Sequence, residues 1–168
     1  YAGPDGWNDP DMLQVGNGMS QSQDRAHFTM WCMLAAPLMS GNDLRTMSPA
    51  TIEILLNKEV IAIDQDPLGI QAFPYAKEGP VHTWLKPLSG GRWAICFLNR
   101  GTKPVPLEID WDKMVAKDTL GGLELDPKAN VYAVRDVWKK KDMGTAGGKM
   151  TIPLPGHDVF CVVLTPVK

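Results

Sequence analysis

A chain of 168 residues has the length of one ordinary domain, or of one and a half small ones. With 44% hydrophobic and 21% charged residues it has the composition of a folded globular protein, which excludes a wholly disordered one. Seventeen basic against nineteen acidic side chains leave a net charge of −2, which excludes an electrostatic grip on nucleic acid, and no polybasic or long apolar run points to a membrane.

Tyr1 opens the chain with neither an initiator Met nor a signal-peptide pattern, which suggests a piece of a longer or processed protein. The stretch Gly6-Trp7-Asn8-Asp9-Pro10-Asp11-Met12-Leu13 gathers two carboxylates, an amide and an aromatic at the start of an apolar segment. Such a set suits sugars, whose hydroxyls pair with carboxylates and amides while an aromatic covers the ring. Asp9 and Asp11 stand two apart, so an extended chain would put both on one side. Asp9 before Pro10 equally fits a turn-initiating Asp, and Met12 alone would be read as core.

Met12–Val15 is a short strand, ended by Gly16-Asn17-Gly18. Ser20 or Ser22 caps a helix to about Ala35, with Asp24 in its first turn and Ala26, Met30, Trp31, Met33 and Leu34 on more than one face. A helix so apolar must be buried. After Pro37, Leu38–Ser40 is a second strand and Asn42-Asp43 starts a turn. Ser48-Pro49 has the pattern of an N-cap followed by Pro at the first helical position. The helix carries an apolar stripe of Ile52, Leu55 and Leu56, continued by Val60, Ile61 and Ile63 to Asp64. This alternation predicts parallel βα units, although two units make neither a closed barrel nor a complete sheet. Asp64-Gln65-Asp66-Pro67 spaces its oxygens like a metal loop but lacks the Gly and final Glu of a calcium site, so it reads as a helix end with no cation.

From about Leu68 the period changes to two, after a Pro67-Leu68-Gly69 boundary short enough to dock the halves rigidly. Val81, Thr83 and Leu85 alternate with His82, Trp84 and Lys86; further strands are predicted over 92–98, 105–109, 130–138, 149–154 and 159–165, divided by Gly pairs. This predicts an antiparallel sandwich. Trp93, Ile95 and Phe97 would face one way and Ala94, Cys96 and Leu98 the other, which marks a central strand partly covered by the first half. Lys139–Lys141 reads as a solvated edge. Trp84, Trp93, Trp111 and Trp138 are expected in the core or between the halves, with one exposed Trp stacking a sugar as the alternative. Cys32, Cys96 and Cys161 lie in apolar runs far apart, which favours buried free thiols, with a Cys96–Cys161 bridge as the alternative; no Cys/His cluster suggests zinc. His27, His82 and His157 accompany no nucleophile motif and are expected to be structural or exposed.

Three blocks in order strongly resemble the α-galactosidases of glycoside hydrolase family 27: Gly6 to Leu13, Ala36 to Arg45 (APLMSGNDLR) and Asn57 to Gly69 (NKEVIAIDQDPLG). Val134 to Trp138 and Pro155 to Val159 look like that family's last domain. The resemblance implies that residues 1–67 are the seventh and eighth units of a (β/α)₈ barrel and that 68–168 are a C-terminal antiparallel β-sandwich. It implies hydrolysis of terminal α-galactosides with retention by a pair of carboxylates, with no metal or organic cofactor. Both carboxylates would lie before Tyr1, so the resemblance assigns no catalytic residue here and implies that these residues alone are inactive. Asp11 and Met12 match positions lining the terminal-sugar subsite at the C-terminal end of the seventh strand, where barrel enzymes place their chemistry. Trp7, Asn8 and Asp9 carry over only as supporting residues. The expected partner is an α-galactoside, with α-N-acetylgalactosamine or β-L-arabinopyranose as variants. Self-association or a companion chain would complete the barrel, and a secreted, periplasmic or lysosome-like compartment is favoured. The competing reading is a non-catalytic carbohydrate-binding or structural sandwich module.

Overall fold

The computed structural model describes Gly3 and residues 5–167; Tyr1, Ala2, Pro4 and Lys168, which open and close the two expected domains, lie outside the described residues. The first helix, α1 (Gln21–Met33), starts at Ser20, whose hydroxyl accepts the Gln23 N–H while the Gln23 side chain accepts the Ser20 N–H. This reciprocal box satisfies two of the amides a helix leaves free. On either side of α1 the chain passes through Leu13 and Ser40, joined by a parallel bridge. The two expected strands are thus reduced to this one contact, in which Leu13 donates to Met39 O (2.7 Å) and Gly41 donates to Leu13 O (3.0 Å).

The predicted helix from Ser48 to Asp64 is two helices, α2 (Pro49–Leu55) and α3 (Lys58–Asp64). Asn57 divides them, because its side chain accepts the N–H groups of Glu59 and Val60 and starts a new helix. The break also changes the buried face: Thr51 and Ile54 face inward, whereas Ile52 and Leu56 are 42% and 66% exposed. Among the described helices none is long and apolar enough to cross a membrane.

Strands follow without intervening α-helices: β1 (Phe73–Glu78), β2 (Val81–Leu88), β3 (Arg92–Asn99), β4 (Val105–Asp110), β5 (Ala116–Lys117), β6 (Glu124–Leu125), β7 (Tyr132–Asp136), β8 (Lys141–Thr145), β9 (Lys149–Leu154) and β10 (Val159–Pro166). Six of them form an antiparallel sheet in the order β1-β2-β3-β10-β7-β8, while β4-β9 and β5-β6 are two-stranded ribbons. The sheet edges are β1, which carries Pro74 and a register shift between Pro74 and Ala76, and β8, which opens on Lys141. Pro, irregular register and Lys all discourage a further strand from adding there.

The six-stranded sheet is the middle layer. Trp93, Ile95 and Phe97 of β3 face the β4-β9 ribbon in a core with Leu85, Leu107, Ile109, Leu154 and Val162. Ala94 and Cys96 face the other way and are buried with Cys161, Phe28, Cys32, Met33 and Ile63, against which Leu98 also packs. Full burial of a side chain such as Phe28 or Met33 stabilises the fold by about 2 kcal/mol. Polar contacts cross the same face: the Arg25 guanidinium pairs with both Asp158 oxygens, Trp138 Nε1 donates to Thr29 Oγ1 (3.0 Å), and Asn57 Nδ2 donates to Val137 O (3.1 Å). A bidentate pair joins Arg135 to Glu59 (2.7 and 3.0 Å).

Candidate functional site

The carboxylate-rich segment does not run straight. Asp9 Oδ1 accepts the Asp11 N–H (2.9 Å), Asp11 Oδ1 accepts the Met12 N–H (2.8 Å), and Asp11 has φ +75°. This corrects the extended-chain expectation for Asp9 and Asp11: a local side-chain bond and the left-handed conformation that Asp tolerates make a turn. Asp9, Asp11 and Met12 are all exposed, whereas Leu13, next in the chain, is 2% exposed and makes the parallel bridge. A Cβ at Gly41 would stand 2.8 Å from Leu13 O and 3.1 Å from Met12 Cβ, so the two segments approach as closely as they do because residue 41 has no side chain.

Polar groups from two loops and from α1 meet beside that bridge. Asn17 Nδ2 donates to Gln14 Oε1 (3.1 Å) and Gly41 O (3.3 Å), and the Gln14 N–H is accepted by His27 Nε2 (3.1 Å). His27 makes that bond only as a neutral ring; burial holds its pKa below the ordinary histidine value, against a smaller opposing effect of Asp24. Asp43 closes the next turn by accepting the Arg45 N–H (3.0 Å) and pairing with its guanidinium (2.8 Å). Sequence reasoning did not single out Gln14, Asn17 or Arg45. The Gly16-Asn17-Gly18 turn was the available signal, but spacing does not show what a turn side chain will reach.

Trp7 and Asn8 lie elsewhere. Trp7, 44% exposed, lines a cleft of about 350 Å³ with Pro37, Asp64, Asp66 and Pro67, and this cleft does not include Asp9, Asp11 or Met12. Asn8 Nδ2 donates to Gln71 Oε1 (3.3 Å) on the connection between the halves. The motif therefore splits, with Asp11 and Met12 at the parallel bridge and Trp7 and Asn8 against the junction.

That junction holds the buried charges the sequence did not reveal. Lys86, 1% exposed, donates to Cys32 O (2.8 Å) in the last turn of α1, where a cation complements the free carbonyls. Burial lowers its pKa to about 8, opposed by Asp64 and more weakly by Cys32 and Asp66. Asp64 is buried, which raises its carboxyl above the usual range against the Gln65 side chain and Lys86; one of its oxygens has no hydrogen-bond partner among the described residues. Asp66 accepts from the Ser89 N–H and hydroxyl (both 2.9 Å) and pairs with Arg92 (3.0 Å), so the acidic run serves the join of helix to sheet. Among the described residues no group of three or more His, Cys, Asp or Glu is placed to hold a metal ion. In the sandwich Trp93 and Trp111 are buried and Trp84 and Trp138 half-buried, so none is an open platform for a sugar ring.

Known proteins match along the whole chain. The family model described as "Alpha galactosidase A" matches residues 1–66, and that of the "Alpha galactosidase C-terminal beta sandwich domain" matches residues 78–164. The Cellvibrio japonicus protein named "Alpha-galactosidase A" is 42% identical over 166 residues, which are 99% of this chain and 41% of that protein. A Gallus gallus relative named "Alpha-N-acetylgalactosaminidase" is 39% identical over 168 residues, 99% of this chain and 37% of that protein. The crystal structure of α-galactosidase I from Mortierella vinacea superposes with a TM-score of 0.81 at 32% identity, covering 95% of this chain and 39% of that one. The chain thus spans about two fifths of the length of these relatives. Two βα units of a (β/α)₈ barrel followed by an antiparallel β-sandwich are the architecture these matches share, and the chain belongs to the α-galactosidase family, glycoside hydrolase family 27.

Proposed function

We propose that the whole protein hydrolyses terminal α-galactosides with retention of configuration, and that the segment around Asp11 forms one wall of its sugar pocket. The observation that carries this reading is an exposed carboxylate on a fixed turn, two residues before the parallel bridge at Leu13. An ionised Asp11 accepts hydroxyl hydrogens from a sugar, and the Met12 thioether offers apolar contact to its ring. Asp9 supports the pair by holding the turn. Trp7, beside the junction cleft, has the weaker claim to the substrate.

The attacking carboxylate and the acid/base belong to sequence outside these 168 residues, so the chain alone does not turn substrate over. Residues 1–67 and 68–168 are its two units. The exposed Met39, Leu44, Ile52 and Leu56 support a covering of the βα units by further polypeptide, from the same chain, a companion or a second copy. The α-N-acetylgalactosaminidase name of the Gallus gallus relative makes the sugar's 2-position the first specificity to test.

The test is steady-state kinetics of the whole protein on aryl α-galactoside and aryl α-N-acetylgalactosaminide. Loss of a hydrogen bond to a charged group is worth about 1.5–3 kcal/mol, so Asp11→Ala is expected to lower kcat/KM by about one to two orders of magnitude. It should also bring a small loss in thermal unfolding, because Ala gives up the Met12 N–H acceptor at a positive φ, whereas Asp11→Asn keeps the turn and still loses activity. An Asp11→Ala enzyme as active as wild type, or robust turnover by residues 1–168 alone, would overturn this assignment.

A further inference from the structure

Antiparallel register sets Cys96 of β3 directly opposite Cys161 of β10. The direction of the backbone groups around them fixes which kind of pair this is. Cys161 O accepts the Val137 N–H on the β7 side, while Asp158 O, three residues earlier, accepts the Asn99 N–H on the β3 side. Successive residues of a strand bond to opposite sides, so Cys161 spends its backbone groups on β7 and faces Cys96 as a non-hydrogen-bonded pair. In such pairs the Cα atoms stand about 4.5 Å apart and the side chains approach closest. Disulfides need Cα separations of about 4.4–6.8 Å.

We propose that Cys96 and Cys161 are a latent cross-strand disulfide, closed by a low-molecular-weight disulfide such as oxidised glutathione while the chain folds. The thiolate of one cysteine attacks the reagent and releases one thiol, leaving a mixed disulfide. The second cysteine then attacks the protein-side sulfur and releases the other thiol. One S–S bond forms and one breaks, the two cysteines lose two hydrogens, and the two released thiols carry them.

The fold restricts this step to a time before α1 docks. Both cysteines are fully buried, the Cys96 thiol lies against Met30 Sδ of α1 (4.0 Å), and Cys32 belongs to the same buried cluster. The Cys96 thiol and burial together push the Cys161 thiol well above its usual pKa, so in the finished protein a Cys161 thiolate is scarce as well as shielded. Once closed, the bond ties together the two central strands of the sheet, whose residues are far apart in sequence, and so restricts the unfolded chain. This inference is independent of the sugar-site reading.

The full-length protein refolded from denaturant in a glutathione redox buffer tests it. Free thiols are alkylated under denaturing conditions, and unreduced peptides are mapped by mass spectrometry. The expected result is the Cys96 and Cys161 peptides recovered as one cross-linked species lighter by two hydrogens, with Cys32 alkylated. The same bond is expected in a Cys32→Ala variant. The map is read on wild-type protein, so it does not depend on any variant folding. Alkylation of all three thiols, a bond through Cys32, or glutathione retained on Cys96 or Cys161 overturns the proposal.

Discussion

The strands of the sandwich bury Leu85, Trp93, Ile95 and Val162 against residues of the same sandwich, whereas the βα units bury Phe28, Cys32, Met33 and Ile63 against the outer face of its sheet. One region closes its own core and the other borrows half of one. Exposed large hydrophobics are denser in the shorter region, where Trp7, Met12, Met39, Leu44, Ile52 and Leu56 all precede Asp64, than in the longer sandwich, which exposes Val115, Leu120, Val131 and Val167. Local propensity made α1, α2 and α3 (each has a side-chain N-cap), but their place in space comes from a surface that follows them in the chain.

The sharpest way to break this comparison is to cut the ion pair that joins α1 to the sheet. Arg25→Ala leaves Asp158, 2% exposed, without its cation; breaking a buried pair costs about 3–5 kcal/mol, and the bonds Asp158 keeps from the Ser22 hydroxyl and the Val159 N–H put this loss at the low end. Denaturant unfolding should register that loss as one shifted transition of the whole chain. A shift confined to the helical signal would mean that the regions unfold separately.

Next in size is the pH dependence of Lys86. Its folded pKa of about 8 lies below the ordinary 10.5, so between these values the unfolded chain holds a proton that the folded one has lost. Unfolding then takes up a proton, and this group makes stability rise as pH increases across that window. Relative to Lys86→Met, wild type should gain up to about 3 kcal/mol from pH 8 to pH 10.5. Parallel curves of stability against pH for the two proteins would show that the ammonium is solvated and the junction open.

Trp138→Phe is the smallest of the three. It removes the Nε1 bond to Thr29 while keeping most of the ring, and should cost about 1 kcal/mol in thermal unfolding. No change would remove this contact from the ties between sheet and helix.

Much of the sandwich was legible because alternation reports burial directly. The strand at 149–154 has the predicted bounds, β3 shows the predicted two faces, and the three cysteines are buried. β1 was missed because Pro74 and its charged end obscure the period, which an edge strand tolerates. In the helical half, Ser48-Pro49 announced α2, but the run of Ile, Leu and Val across Asn57 masked a second cap in its middle. At the candidate site the motif marked the right stretch of chain. It did not reveal the turn at Asp11, because left-handed backbone is permitted to Asp without being required of it. Nor did it reveal Lys86, whose place in the alternation looked like any half-exposed strand position until α1 was laid over it.

The end of α1 carries a consequence for biosynthesis. Its last-turn carbonyls are taken up by groups that come later in the chain: Met33 O accepts the Ala72 N–H (2.8 Å) and Cys32 O accepts from Lys86. A ribosome delivers the helix before either donor, so Met33 O waits for Ala72, and Cys32 O has only the Ala35 N–H (3.3 Å) until β2 has emerged. Translation speed across residues 34–86 therefore sets how long a greasy helix is available to chaperones.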